Sequence, residues 1–199
     1  MHYIAHRVNT LAALRELPRE FGVEIDLRDH GNRLILEHDP FTDGEDFEPY
    51  AAEYRHGTMI LNVKSERIEH RCLEVLEKHG IKNYFFLDSS FPMINLLARD
   101  GNPNSALRFS EFEGLDTIMN MRGRVDWVWV DCFTRLPITP EIRDTLKDAG
   151  FKICLVSPEL QGRPDDIPTY REQLHEEGIV FDAICTKVHN IETWRERFP

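Results

Sequence analysis

Residues 22–40, GVEIDLRDHGNRLILEHDP, combine a strand, a tight turn and a second short strand. The first strand carries Glu24 and Asp26 at alternate positions among apolar residues, and His38 follows the second strand. Side chains two positions apart share one face of a strand, so the two carboxylates point in the same direction. The stretch therefore predicts an apolar strand that ends in a cluster of polar side chains.

Short apolar runs alternate with helix-period segments on both sides of this stretch. The predicted strands are residues 3–6, 22–27, 58–64, 83–88, 105–110, 125–132, 151–157 and 181–186, and the clearest predicted helices are 66–79, 91–99, 140–149 and 166–177. Eight strands alternating with helices predict a parallel sheet closed into a (β/α)₈ TIM barrel, as a single domain over residues 1–199. An open doubly wound sheet is the alternative. The segment 39–57 is predicted to be a helix-poor loop over one rim of the barrel.

Composition limits the class of partner and the compartment. The 199 residues include 35 acidic and 24 basic side chains, for a net charge of −11, which repels a nucleic-acid backbone and leaves a small molecule as the expected partner. No apolar run reaches about 18 residues, so no membrane span is expected. The four cysteines lack CxxC spacing and lie mostly in apolar runs, which predicts buried thiols in a cytoplasmic protein.

Polar residues cluster where the predicted strands end, which is where parallel barrels place their chemistry. These residues are His6 and Arg7, Glu24 and Asp26, Asn62 and Lys64, Asp88, Arg108 and Ser110, Asp131, Ser157 and Glu159, and Lys187. Two converging carboxylates need a proton or a cation between them. With oxygen ligands alone, that cation would be Mg²⁺ or Ca²⁺, bound by Glu24 and Asp26 with Asn62 or Asp88 completing the set.

Basic residues near these carboxylates predict a pocket for an anion. Arg7, Lys64 and Arg108 would hold a phosphate, while His6 and His38 supply two groups that titrate near neutral pH. A metal, a phosphate pocket and two imidazoles are the parts needed to cleave a phosphodiester. Singly, each feature has a structural explanation: a solvated rim or salt bridge for the carboxylates, a hydrogen-bonded structural role for His6, a solvated position for Lys64. Their order on the first three strands favours the functional interpretation.

The motifs AHR followed by NT, then GVEIDL, LEHDP and NVK, resemble the glycerophosphodiester phosphodiesterases. More distantly they resemble the sphingomyelinase-D-type and phosphatidylinositol-specific phospholipase barrels. The match covers residues 4–64. The resemblance implies that His6 and His38 are the catalytic acid and base, that Arg7 and Lys64 hold the phosphate, and that Glu24 and Asp26 bind the metal.

The sequence departs from the family pattern at two informative positions. Val8 replaces a glycine, and Asn62 stands where the family supplies a third acidic ligand, for which Asp88 or Glu111 could substitute. Two alternatives therefore stay open: a non-catalytic barrel that binds a phosphorylated ligand, and an enzyme of nucleotide-sugar or surface-polysaccharide assembly. The run VDWVWVDC places Trp127, Trp129 and Asp131 on one strand face, so that the tryptophans either fill the barrel core or, for Trp129, reach its mouth.

Overall fold

The computed structural model describes residues 1–198; Pro199, which the predicted domain includes, lies outside the described residues. The strands are β1 (His2–Ala5), β2 (Gly22–His30), β3 (Arg33–Leu36), β4 (Glu45–Asp46), β5 (Met59–Val63), β6 (Tyr84–Leu87), β7 (Ala106–Phe109), β8 (Trp127–Val130), β9 (Lys152–Val156) and β10 (Ala183–Thr186). The helices are α1 (Leu11–Glu16), α2 (Phe47–Glu53), α3 (Glu69–Lys78), α4 (Phe91–Arg99), α5 (Leu115–Asn120), α6 (Pro140–Asp148), α7 (Ile167–Glu176) and α8 (Ile191–Arg195).

Eight parallel strands form the barrel, and they are the eight that the sequence predicts. The pairs β7–β8, β8–β9, β9–β10, β10–β1, β1–β2, β2–β5 and β5–β6 are all parallel. The ring is completed between β6 and β7 by one parallel bridge, Phe86–Ser105, beside which the Phe86 N–H donates to the Asn104 carbonyl at 2.9 Å. The prediction of a TIM barrel is confirmed, with a narrow seam between its fourth and fifth strands.

The connection between β2 and β5 differs from the prediction. β2 continues to His30 and pairs antiparallel with β3, which pairs with β4. The sequence predicts a helix-poor loop over residues 39–57. This prediction is wrong, because α2 lies within that segment. The acidic residues and Pro49 are typical of a loop, but proline is tolerated in a first helical turn, and burial of Phe47 and Tyr50 stabilises the helix against the barrel.

Local signals at the helix ends agree with the prediction. Thr139 caps α6 by accepting a hydrogen bond from the Ile142 N–H, and Pro140 occupies the first helical position. Gly80 follows α3 and Gly150 follows α6, each with a positive φ that glycine adopts without strain. These signals fix where each helix stops and the chain turns back towards the next strand.

Apolar side chains fill two layers, one inside the barrel and one between the strands and the helices. The inner layer consists of Ile4, Ile60, Phe85, Leu87, Ala106, Trp127, Trp129, Cys154, Val156, Ala183 and Cys185. Phe85 stacks on Trp127 with ring centroids 4.5 Å apart. The strand alternation that turns these residues inwards continues to the polar residues at the strand ends, because positions 4 and 6, 60 and 62, and 106 and 108 share a face. The barrel interior is therefore apolar along the strands and charged at their C-terminal ends.

Cys72, Cys132, Cys154 and Cys185 are buried free thiols, as predicted. Within residues 1–198, no helix combines the length and apolarity needed to cross a bilayer.

Candidate active site

A cavity of about 300 Å³ lies at the C-terminal mouth of the barrel. Its lining residues are His6, Arg7, Glu24, Asn62, Lys64, Leu87, Asp88, Arg108, Trp129, Asp131, Val156, Glu159, Leu160, Gln161 and Lys187. Seven of them are among the nine site residues that the sequence predicts; the other two, Asp26 and His38, do not line the cavity. The cavity thus gathers side chains from all eight barrel strands or the loops that follow them.

Glu24 is the buried carboxylate at one side of this cavity. Its Oε1 accepts a hydrogen bond from Asn62 Nδ2 at 2.8 Å, and its Oε2 accepts one from the Arg7 backbone N–H at 2.8 Å. Arg7 adopts a φ of 56°, which turns its N–H towards the carboxylate. Burial, and then the neighbouring Asp26, raise the pKa of Glu24 to about 7. The site therefore provides an incompletely neutralised carboxylate that would be stabilised by a proton or a cation.

His6 lies next to Glu24, with Nε2 3.7 Å from Glu24 Oε2. Burial lowers the pKa of His6 to about 4, and the positive charges of Arg7 and Lys187 act in the same direction. Its other ring nitrogen, Nδ1, is buried and makes no hydrogen bond within residues 1–198. At neutral pH the imidazole is therefore uncharged and able to accept a proton.

Asp26 anchors the basic residues from below the cavity. Its Oδ2 accepts a hydrogen bond from Asn9 Nδ2 at 2.9 Å and lies 3.6 Å from Arg7 Nε. Lys64 Nζ lies 3.5 Å from Asp26 Oδ1 and 3.5 Å from Asp88 Oδ2. Asp26 thus contacts two of the three residues that the sequence assigns to the phosphate, Arg7 and Lys64.

The opposite wall is built around Arg108. Its Nε and Nη2 donate to Asp88 Oδ1 at 2.8 and 2.6 Å, and Nη1 donates to Asp131 Oδ2. Asp131 also accepts hydrogen bonds from Trp129 Nε1 at 3.1 Å and from Gln161 Nε2 at 2.7 Å. Burial raises the pKa of Asp131 against the lowering influence of Arg108. Arg108 therefore already has two carboxylate partners before any substrate arrives, although the sequence predicts a phosphate ligand here.

The last side of the cavity joins the ends of β9 and β10. Glu159, in the 3₁₀ turn Pro158–Gln161, accepts hydrogen bonds from Ser157 Oγ, from Thr186 Oγ1 and, at 3.0 Å, from the Lys187 N–H. These hydrogen bonds overcome the effect of burial and hold the pKa of Glu159 below its usual value. The hydrogen bond from its N–H fixes the backbone of Lys187, which lines the cavity. The sequence places Glu159 and Lys187 at the ends of predicted strands, but no motif identifies them as site residues. No pattern in the sequence indicates a role for Gln161.

His38 lies on the neighbouring loop, outside the cavity. Its Nδ1 is 2.8 Å from Asp39 Oδ1, and its side chain is 38% exposed. Arg28 fixes this loop by donating to the carbonyl oxygens of Glu37 and His38. The catalytic role of His38 stays a prediction, whereas His6 lies beside the carboxylate with which it would act.

The oxygen atoms of Glu24, Asp26 and Asn62 are the candidate metal ligands of the site. Within residues 1–198, no three His, Cys, Asp or Glu side chains are grouped closely enough to hold an ion by themselves. The Oδ1 atoms of Asn62 and Asp26 are buried without a hydrogen-bond partner in the described chain. Asn62 lies next to Glu24, and Asp26 Oδ1 lies 3.5 Å from Lys64 Nζ. Glu24, Asp26 and Asn62 therefore offer hard oxygen ligands that fit Mg²⁺ or Ca²⁺, with an amide in place of a third acid.

The comparisons with known proteins identify the fold. No protein-family model and no curated protein matches the sequence. Two crystal structures from Agrobacterium tumefaciens C58, one named a putative glycerophosphoryl diester phosphodiesterase and the other a glycerophosphodiester phosphodiesterase, match with TM-scores of 0.69. Their identities are 13% and 16%, over 98% of this chain and 98% and 99% of theirs. A third, from Parabacteroides distasonis, matches with a TM-score of 0.65 at 13% identity, over 99% of this chain and 86% of that one. The chain thus has the barrel fold of these proteins over 98–99% of its length.

Proposed function

We propose that this protein hydrolyses a small phosphodiester of the glycerophosphodiester type. The observation that carries the proposal is the convergence of His6, Glu24 and the Arg7 backbone at one cavity, with the Lys64 ammonium group on its rim. The fold shared with the three phosphodiesterase structures supports it. The class of chemistry is phosphoryl transfer to water or to a hydroxyl group of the substrate.

In this proposal the basic residues neutralise charge on the phosphate, and the two histidines transfer protons. Arg7 and Lys64 neutralise the phosphoryl oxygens, because each carries a positive charge close to the cavity despite the overall charge of −11. His6 accepts the proton of the attacking oxygen as a new P–O bond forms, and the P–O bond to the leaving alcohol breaks. The leaving oxygen takes up a proton from the second histidine of the pair, His38, in its protonated form. If a substrate hydroxyl attacks, the first product is a cyclic phosphate.

A divalent cation fits the same proposal. Glu24, Asp26 and Asn62 would hold it, and it would supply electrostatic stabilisation of a phosphoryl oxygen. In its absence, the raised pKa of Glu24 leaves part of the population protonated near neutral pH. Asn62 removes one negative charge from the ligand set, so we expect weaker metal binding than three acidic ligands would give.

Two other functions are favoured by specific observations. The neutral Asn62 and the position of His38 outside the cavity suit a barrel that binds a phosphorylated ligand without turnover. The wall formed by Arg108, Asp131 and Gln161 offers both donors and acceptors for a hydroxyl-rich group, which suits a sugar phosphate of polysaccharide assembly.

The experiment is a turnover assay on a panel of phosphodiesters that includes glycerophosphocholine, glycerophosphoinositol and bis(p-nitrophenyl) phosphate. We expect hydrolysis of at least one, dependence on added Mg²⁺ or Ca²⁺, and loss of activity with a chelator. His6→Asn should lower kcat by about 10²–10⁴-fold, while His175→Asn on the exposed face of α7 should not change it. Binding of a diester by calorimetry with no turnover at any metal concentration would contradict the enzyme and support the binding protein.

A further inference from the structure

Four basic side chains line the cavity, and one of them has no acidic partner. Three form an ion pair with at least one aspartate, and these are Arg7, Lys64 and Arg108. The fourth is Lys187, whose ammonium group forms neither an ion pair nor a hydrogen bond with the described residues 1–198. In a chain with 35 acidic and 24 basic side chains, an unpaired ammonium group at a cavity is available to an anionic ligand.

The backbone at Lys187 is fixed next to His6. The Thr186 carbonyl oxygen accepts a hydrogen bond from the His6 N–H at 2.9 Å, and the Lys187 N–H donates to Glu159 Oε1 at 3.0 Å. Burial, then Arg7 and then Lys187 lower the pKa of His6, so the ammonium group lies within electrostatic reach of the imidazole. An anion bound by Lys187 would therefore lie beside the proposed reaction centre.

The order of the strands places Lys187 and Lys64 on opposite sides of His6. Lys187 follows β10, His6 follows β1 and Lys64 follows β5, in the ring order β10–β1–β2–β5. The ends of β10 and β5 are three strand spacings apart, which is about 14 Å around the ring and less across the cavity. One small molecule in a cavity of about 300 Å³ can therefore contact both lysines.

The acidic residues around the cavity already have partners. Asp88 and Asp131 bind Arg108, and both carboxylate oxygens of Glu159 accept hydrogen bonds from the chain. Trp129 is 4% exposed and donates its Nε1–H to Asp131, so its ring is not free to cover a cationic group. Within residues 1–198, the cavity thus offers a ligand an unpaired cation and, beyond the proposed metal ligands, no unpaired carboxylate.

We propose that Lys187 determines specificity by binding a second anionic group of the substrate, a carboxylate or a phosphate on the alcohol that is esterified to the diester phosphate. This inference rests on the proposed function, because it assigns the diester itself to Arg7 and Lys64. An ammonium group binds either anion through charge-assisted hydrogen bonds. A substrate whose alcohol carries a positive charge would instead be repelled by Lys187.

The test compares substrates that differ by a single anionic group. Glycerophosphoserine differs from glycerophosphoethanolamine by one carboxylate, and glycerophosphoglycerol phosphate differs from glycerophosphoglycerol by one phosphate. The wild type should prefer the anionic member of at least one pair in kcat/KM. Lys187→Met should lower that preference by about tenfold or more, mainly through a higher KM for the anionic member, because a charge-assisted hydrogen bond is lost. An effect on His6 acts on both members of a pair and cancels in the ratio.

Two variants control for charge and for position. Lys187→Arg keeps a positive charge and should retain most of the preference. Lys82→Met removes an exposed lysine just before β6, at the opposite end of the barrel, and should change neither the rates nor the preference. Thermal unfolding of each variant shows whether it folds, and if Lys187→Met is unfolded, Lys187→Gln replaces it.

The outcomes separate this inference from the proposed function. A preference confined to one pair identifies the anion as a carboxylate or a phosphate. No preference in the wild type, or one that Lys187→Met retains, overturns the inference while the proposed function stands. An equal loss for both members of a pair assigns Lys187 to the diester phosphate and also overturns it.

The absence of turnover on every diester contradicts the proposed function, and calorimetry with the same pairs then decides the role of Lys187. Tighter binding of the anionic member that Lys187→Met abolishes supports the anion site without the enzyme. Equal affinities for both members of each pair overturn the anion site as well.

Discussion

Replacing Glu24 by glutamine should stabilise the protein at alkaline pH when no divalent cation is present. The side chain is 1% exposed, and its pKa is raised from 4.5 to about 7 by burial and by Asp26. A carboxyl group with a higher pKa in the folded state binds more protons there than in the unfolded state, so its contribution to stability falls as pH rises through that range. The variant removes this loss and keeps the shape of the side chain.

The magnitude follows from the difference between the two pKa values. Raising the pKa of Glu24 from 4.5 to about 7 corresponds to about 3 kcal/mol of unfavourable ionisation at pH 8, and to less than about 1 kcal/mol at pH 5. The free energy of unfolding that Glu24→Gln gains over the wild type should therefore be about 2 kcal/mol larger at pH 8 than at pH 5. His6 has the opposite shift, and it acts in both proteins, so the comparison at each pH cancels most of its effect.

The assay is urea unfolding at pH 5 and pH 8 with a chelator, repeated with Mg²⁺ or Ca²⁺. Added metal should stabilise the wild type at pH 8 and have little effect on Glu24→Gln, because the charge that attracts the ion is gone. The control is Glu20→Gln, at an exposed position, which should leave the pH dependence unchanged. If the stability difference between Glu24→Gln and the wild type is the same at pH 5 and pH 8, the raised pKa of Glu24 is refuted.

Three further predictions concern other parts of the chain. His38→Ala should lower kcat by about 10²-fold or more if this residue is the general acid, whereas activity within about twofold of wild type would remove it from the mechanism. Arg108→Lys should cost about 2–4 kcal/mol in urea unfolding, because lysine cannot bridge Asp88 and Asp131; an unchanged midpoint would contradict this. Gly22→Ala should cost about 3 kcal/mol because the new methyl group would lie 2.4 Å from the Thr58 carbonyl oxygen, and Gly114→Ala, with open space around it, serves as the control.

The sequence predicts the barrel and most of the cavity for the same physical reason. Alternation along a strand fixes which side chains turn inwards, and parallel pairing brings the ends of all strands to one mouth, so His6, Glu24 and Lys64 could be placed without coordinates. His38 could not, because its position depends on how far β2 and β3 extend as a hairpin beyond the barrel. Gln161 reaches Asp131 from a short 3₁₀ turn, and no periodic pattern gives the direction of such a side chain.

The narrow seam between β6 and β7 divides the chain into two nearly equal halves. Within residues 1–198, a single backbone bridge crosses it, and above that bridge Arg108 from β7 holds Asp88 from the end of β6. Each half contributes four strands to the ring, and the loop near Gly101 that connects them lies at the surface. A protein cut at this loop should therefore reassemble from two separately expressed fragments through the β10–β1 edge. The seam marks where duplication or recombination of half-barrels would least disturb the molecule.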